Sequence, residues 1–339
     1  MGLPVMVMEF SVGRASQKSI ARSFHVLEPK GTKWHWYSGF GIAGNYLLMM
    51  FYTTVAGWML SYMVKFIKND FAGLDTAGVG QVFNDLLANP VEMGAWALFT
   101  VIFGFFICSR GLQKGLERIS KGMMVALLLL IVVLAIRSMT LKGASEGLEF
   151  YLKPDFGKMK EYGVLNTLVA AMNQSFFTMS LGIGAMLIFG SYMSKDHALL
   201  GEAGRIAVLD TFVAFTSGLI IFPACFAFGV NPDQGPSLIF VTLPNVFNAM
   251  GGGRFWGALF FLFMAFASLS TVLAVFENII ACFMDKWNMS RGKACLINGI
   301  LIAILSMPCV LGFNVWSDFT IAGKNILDME DFAVSTILL

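Results

Sequence analysis

The sequence predicts an all-α fold, a polytopic bundle of transmembrane helices, and two observations carry that expectation. Hydrophobic residues make up 57% of the 339 residues and charged residues only 13%, at a mean hydropathy of +0.73. A soluble domain carries roughly 25% charged residues, because its surface faces water. The charges are also segregated: Asp, Glu, Lys and Arg are missing from 34–64, 93–109, 122–136, 162–194, 211–232, 255–276 and 294–317. A bilayer core about 30 Å thick takes ~20 apolar residues per helix. Most of these runs are that long, while 93–109 and 122–136 need their flanks. Strands of a membrane barrel would alternate polar and apolar residues, and these runs do not.

In chain order the expected helices are a stub at 2–12, then 37–67, 94–110, 120–140, 162–192, 203–229, 255–284, 292–312, and the start of another at 327–339. No basic region followed by a small-residue cleavage site stands at the Met1 end, so no signal peptide is read there. Cys108, Cys225, Cys282, Cys295 and Cys309 lie in apolar segments without metal-type spacing and read as small packing residues. The net charge of +2 carries no information about nucleic acid.

Loop charges orient the bundle. With 13–36 on the cytoplasmic side, the inside loops hold 14 bases, Lys114 among them, against five acids. The outside loops hold nine bases against 13 acids. Positive charge marks the cytoplasmic face. His25, His35 and His197 all fall in inside loops, and no span holds a His pair or a nucleophile with an obvious base. An intramembrane enzyme is therefore not expected.

Three acids, Glu9, Asp210 and Glu277, fall within spans. Each costs roughly 2.5–3.5 kcal/mol at a helix centre, so it must face a partner, an ion or a cavity. For Glu9 and Glu277 the expectation is a hydrogen bond between helices.

The run 162–192 is too long for a plain span. Its 31 residues would extend about 46 Å at 1.5 Å per residue. Its centre, Phe176-Phe177-Thr178-Met179-Ser180-Leu181-Gly182-Ile183-Gly184, places glycines and hydroxyls where Leu and Val would normally stand. A tilted continuous helix is one reading. Length and composition together favour the other, a break near 178–182. Broken backbone in a membrane is tolerated only inside protein or beside a cavity, where exposed carbonyls can hold a cation.

A second polar cluster, Ala267-Ser268-Leu269-Ser270-Thr271, reads either as a helix-packing face or, beside a broken helix, as hydroxyl ligands for a hard cation. In 37–67 the matching group is Tyr52, with Gly57 and Trp58 further on. A tyrosine this deep needs a partner for its hydroxyl, a helix carbonyl or a ligand carboxylate.

These residues resemble the neurotransmitter:sodium symporter family, especially its bacterial amino-acid transporters, a family that itself exemplifies broken helices and inverted repeats. Gly2-Leu3-Pro4 with Glu9-Phe10-Ser11-Val12-Gly13-Arg14 resembles the end of the family's second helix. Phe51-Tyr52 with Gly57-Trp58 resembles the third. Phe176 to Gly182 resembles the broken sixth, Ala267 to Thr271 the eighth, and Met329-Glu330-Asp331-Phe332 the opening of the tenth. The resemblance implies an inverted-repeat transporter fold: 1–161 as the remainder of the first repeat, lacking its first helix and half of the second, and 162–339 as a second repeat cut at the start of its last helix. On this expectation the chain is incomplete at both ends and itself inactive.

The resemblance also implies roles. Tyr52 would donate to the substrate carboxylate, Phe177 would lie across the substrate, and the backbone of Phe177, Thr178 and the Ser180 region would receive its amino group. One sodium ion would touch Thr178 and Asp210, and the other the Ala267 carbonyl, Ser270 and Thr271. Leu48, Ile183 and Val275 would line an apolar side-chain pocket, which implies a neutral, hydrophobic or aromatic amino acid carried by alternating access. Asp331 resembles the outer gate acid and Asp285 the inner one, with Tyr192 beside it. Asp210 stands where many members carry asparagine, and Ala214 where a serine would help hold chloride, so sodium without chloride is expected and no organic cofactor. Two alternatives stand beside this: a sodium-independent or proton-coupled carrier of the same architecture, or a transport-dead binding or sensor protein. An integral protein of a bacterial plasma membrane is the expected setting.

Overall fold

The computed structural model describes residues 2–111, 117–230, 232 and 235–338, so Lys114 lies outside the described residues. The first half runs α1 (Gly2–Ser16), α2 (Ile20–Leu27), a 3-10 turn (Trp34–Trp36), α3 (Tyr37–Lys68), α4 (Thr76–Ala88), α5 (Pro90–Ser109), α6 (Arg118–Met139), α7 (Ala144–Leu152) and α8 (Phe156–Tyr162). The second runs α9 (Val164–Thr178), α10 (Ala185–Tyr192), α11 (Leu199–Ala227), α12 (Leu243–Ala249), α13 (Gly253–Trp287), α14 (Arg291–Leu305), α15 (Met307–Leu311) and α16 (Ile326–Phe332). Among the described residues six helical stretches are long and apolar enough to cross a membrane.

Local chemistry sets the helix ends. The Asn89 side chain accepts from the Val91 and Glu92 backbone N–H groups, and Pro90 opens α5, where its missing donor costs nothing. Asp75 caps α4 through the Gly78 N–H. Asn69 (φ 71°) and Asn288 (φ 51°) turn left-handed and stop α3 and α13. Helix α13 packs along α3 at the centre, with α5, α6 and α14 around them. Gly57 allows α3 to lie against the α5 backbone, since a Cβ there would stand 2.9 Å from the Trp96 carbonyl carbon. The outer faces of α6 and α11 stay apolar and exposed, at Leu129, Val133, Val208 and Phe212 among others. A helix face of that kind suits hydrocarbon as solvent.

The expected spans are present with shifted ends, and the differences have physical causes. Segment 13–36 is not a plain loop: α1 runs on to Ser16 and α2 follows. The short helices α4, α7 and α8 fall between the expected spans, in segments that carry charges, and α12 lies in an uncharged stretch, 234–253, that the expected spans left out. The expected helix 292–312 is two helices parted at Ser306. Pro308 has no N–H for the Ile304 carbonyl and its ring crowds that turn. The last stretch is helical over Ile326–Phe332 and then widens into a π-helical turn, Ala333–Leu338.

Candidate functional site

The run 162–192 is broken. Helix α9 ends at Thr178 and α10 begins at Ala185. Between them Ser180 (φ 52°), Gly182 (φ 88°) and Gly184 (φ 76°) take left-handed conformations that a helix cannot contain. The break, expected near 178–182, spans Met179 to Gly184, and the Phe176 and Phe177 carbonyls still accept from the Leu181 and Ser180 N–H groups. Glycine makes the left-handed turn cheap at two of the three positions.

Backbone groups freed by the break are held by three other helices. The Gly182 N–H donates to Glu9 Oε1 at 2.6 Å, and the Tyr37 hydroxyl donates to the Gly182 carbonyl. Asn45 Nδ2 donates to the Ile183 carbonyl at 2.7 Å, and Asn278 Nδ2 reaches the same oxygen at 3.3 Å and Asn45 Oδ1 at 3.0 Å. Asn45 and Asn278 are buried. An unpaired backbone group in so dry a place would cost several kcal/mol. Glu9 thus ties α1 to the broken segment, and its Oε2 has no hydrogen-bond partner among the described residues.

Beside the break lies a cavity of about 220 Å³, lined by Leu48 and Tyr52 from α3, Gln174, Phe177 and Thr178 from α9, Ser180 and Ile183 from the break, Asp210 from α11 and Thr271 from α13. Leu48, Phe177 and Ile183 give it an apolar wall. Tyr52, Thr178, Asp210 and Thr271 bring oxygen-bearing side chains to its lining. On the far side of Asp210 a cleft of about 350 Å³ opens between α6, α11 and α13, with Ala267 and Ser270 in its wall. Asp210 lines both. The Ala267 carbonyl accepts from Ser270 Oγ at 2.7 Å and lies 3.5 Å from Thr271 Oγ1. This gathers three oxygens from one helical turn, a donor set that suits a hard cation.

Asp210 forms no salt bridge among the described residues. Arg205, the base nearest to it in sequence on α11, pairs with Glu202 at 2.7 Å. An ionised carboxylate at membrane depth without a base calls for a cation or a proton. Ala214, four residues along α11, is exposed.

Some expected placements do not hold. Val275 is 1% exposed and packed in the core, and the cavity wall on α13 is made by Thr271. The Tyr192 hydroxyl, expected beside Asp285, donates to Glu277 at 2.9 Å. Glu277 is fully buried and held by both terminal nitrogens of Arg291, whose Nε donates to the Cys108 carbonyl at 2.7 Å. Glu277 and Arg291 together join α5, α10, α13 and α14, a larger task than one interhelical hydrogen bond. Asp285 instead accepts from the Ser19 N–H at the head of α2 at 2.6 Å, with Lys18 Nζ at 3.6 Å. Asp331 accepts from Ser335 Oγ at 2.7 Å and is not among the residues lining the cavity.

Sequence reasoning missed Gln174, Asn45 and Asn278. Each is a polar residue inside an apolar run, and Gln174 stands one helical turn before Thr178 on the same face. That signal was available for all three.

The chain matches the sequence profile described as the sodium:neurotransmitter symporter family over residues 87–339. It is 35% identical to an uncharacterised sodium-dependent transporter of Bacillus subtilis, YhdH, over 100% of this chain and 74% of that protein. A second uncharacterised sodium-dependent transporter, from Haemophilus influenzae, is 34% identical over 99% of this chain and 75% of its own length. Among solved structures, MhsT in complex with L-phenylalanine superposes with a TM-score of 0.90 at 39% identity, covering 100% of this chain and 76% of that one.

Proposed function

This chain belongs to the sodium:neurotransmitter symporter family, a family of transporters and not of enzymes, and from that premise we propose that it serves sodium-coupled symport of a neutral, hydrophobic or aromatic amino acid. The observation that carries the reading is the two-faced cavity at the break, apolar at Leu48, Phe177 and Ile183 and oxygen-lined at Tyr52, Thr178, Asp210 and Thr271. A zwitterionic amino acid with an apolar side chain matches that division. The L-phenylalanine in complex with MhsT supports the same substrate class.

In this reading the Tyr52 hydroxyl donates to the substrate carboxylate. Phe177 covers the substrate, and the backbone around Thr178 and Ser180 receives its ammonium group. One sodium ion sits with Thr178 and Asp210, the other with the Ala267 carbonyl, Ser270 and Thr271. Sodium travels as cargo, and its gradient drives the amino acid. Asp210 supplies the negative charge that chloride would otherwise bring, so transport runs without chloride. Asp285 with Tyr192, and Asp331, act at the two ends of the pathway, and the halves 1–161 and 162–339 rock against one another. The protein sits in a bacterial plasma membrane with 13–36 in the cytoplasm.

The test is uptake under an inward sodium gradient by proteoliposomes holding the full-length symporter that the family resemblance implies for this chain. Labelled L-phenylalanine and L-leucine are expected to accumulate, and glutamate and lysine are not. Accumulation that persists with choline in place of sodium would favour a proton-coupled carrier, in which Asp210 takes up the proton.

A further inference from the structure

Away from the transport cavity, we propose that the junction of α2 and α3 is a binding site for a divalent transition-metal ion of zinc's chemistry, held by His25, Glu28 and His35. His25 and Glu28 stand three residues apart at the end of α2, where Glu28 is the first residue to leave the helix. His35 lies in the 3-10 turn that leads into α3. One nitrogen of each imidazole and one Glu28 oxygen lie within 4.8 Å of one another. The two rings stack at 4.9 Å between centroids. His35 Nδ1 is 2.7 Å from Glu28 Oε1, and the His35 backbone N–H donates to Glu28 Oε2 at 3.1 Å, which fixes the carboxylate.

Two imidazoles and a carboxylate make a three-ligand set that zinc binds at about 2.0–2.2 Å, with water in the fourth position. Ligand atoms on a tetrahedron of that size stand about 3.3 Å apart. The Glu28 and His35 atoms therefore need to part by only a fraction of an ångström, and exposed His25 is free to turn toward them. A hydrogen bond between Glu28 and His35 accounts for two of the three groups without a metal. It gives no reason for a second imidazole stacked on the first.

The placement gives the ion a consequence. The head of α2 is tied to Asp285 on α13 through the Ser19 N–H at 2.6 Å. Tyr37, two residues past His35, holds the Gly182 carbonyl of the break. A metal ion at the junction braces the path from the end of α13 to the broken segment.

Zn²⁺ competition against a chromophoric chelator, on the purified protein in detergent, tests the site independently of transport. The background is favourable: His197 is the one other histidine, and all five cysteines are buried. One Zn²⁺ per chain at low micromolar concentration is expected, insensitive to Mg²⁺, which prefers an all-oxygen shell. His25→Ala, on an exposed side chain, and His35→Ala are each expected to weaken binding at least about tenfold, the lower end of what even an outer-shell partner is worth. His197→Ala is expected to leave it unchanged. Hydrogen exchange over 25–37 should slow with Zn²⁺ in the wild type and not in His25→Ala. Zn²⁺ affinity that is absent, or equal in the wild type and His25→Ala, overturns the proposal.

Discussion

Asp210 concentrates the electrostatic question in one side chain. It lines both the cavity and the neighbouring cleft, and the base closest to it in sequence on its helix is engaged by Glu202. On the proposed reading Asp210 supplies, beside a sodium ion, the negative charge that chloride would otherwise bring. Sodium-driven uptake in gluconate should therefore equal uptake in chloride for the wild type. Asp210→Asn should abolish uptake or make it chloride-responsive, and strict chloride dependence of the unmodified protein refutes the charge replacement. Tyr52→Phe tests the other polar wall. A hydrogen bond to a charged group contributes about 1.5–3 kcal/mol, so the KM for the amino acid should rise roughly tenfold to a hundredfold. The fold should be unaffected, and an unchanged KM would remove Tyr52 from the carboxylate. At this scale the family resemblance, more than residue type and depth, picked out Leu48, Tyr52, Phe177, Thr178, Ser180, Ile183, Asp210 and Thr271, which line one cavity. Val275, expected in the side-chain pocket from the same resemblance, is buried in the core and does not line the cavity.

Among the elements, the break between α9 and α10 and the ion pair below it carry distinct loads. Gly184 has φ 76°, and a Cβ there would come 2.8 Å from Cβ of Ile20 on α2. Gly31 has φ 88° with nothing within 4 Å. The left-handed backbone costs a non-glycine residue roughly 1–2 kcal/mol. Thermal unfolding in detergent should show Gly184→Ala losing more stability than Gly31→Ala, by the added collision with Ile20, and equal losses would mean that α2 yields freely. The Arg291–Glu277 pair is a separate case. Removing one partner of a buried pair strands the other charge at about 3–5 kcal/mol. Arg291→Ala should thus melt far below the wild type, and adding Glu277→Gln should restore part of the loss. A double variant no more stable than Arg291→Ala would place the effect in the lost Cys108 carbonyl contact instead. The break was legible because 31 uncharged residues exceed one span and their centre is rich in glycine and hydroxyls. The Glu277 network was not, because its members are 14, 85 and 183 residues apart along the chain in their paired contacts.

For the whole molecule, orientation is the open physical variable, and it rests on 14 bases against five acids in the proposed cytoplasmic loops. All five cysteines are buried, so an introduced thiol reports cleanly. Lys33 and Lys160 are exposed. In cells, Lys160→Cys should react with an impermeant maleimide added outside, and Lys33→Cys only after permeabilisation; the reverse pattern would invert the bundle.

Composition and charge segregation determined the class, the positions of the spans and the need for a break, because a bilayer selects residues by polarity along a single coordinate and that selection is written locally. Residue types in those spans also carried the family resemblance. Tertiary structure decided which polar groups meet: Asn45 and Asn278 on the Ile183 carbonyl, Tyr192 on Glu277, Asp285 on the head of α2. Buried polar groups must find partners, yet in a helical bundle several lie within reach of each. The rotation and depth of every packed helix select among them, and those depend on contacts spread over the entire chain.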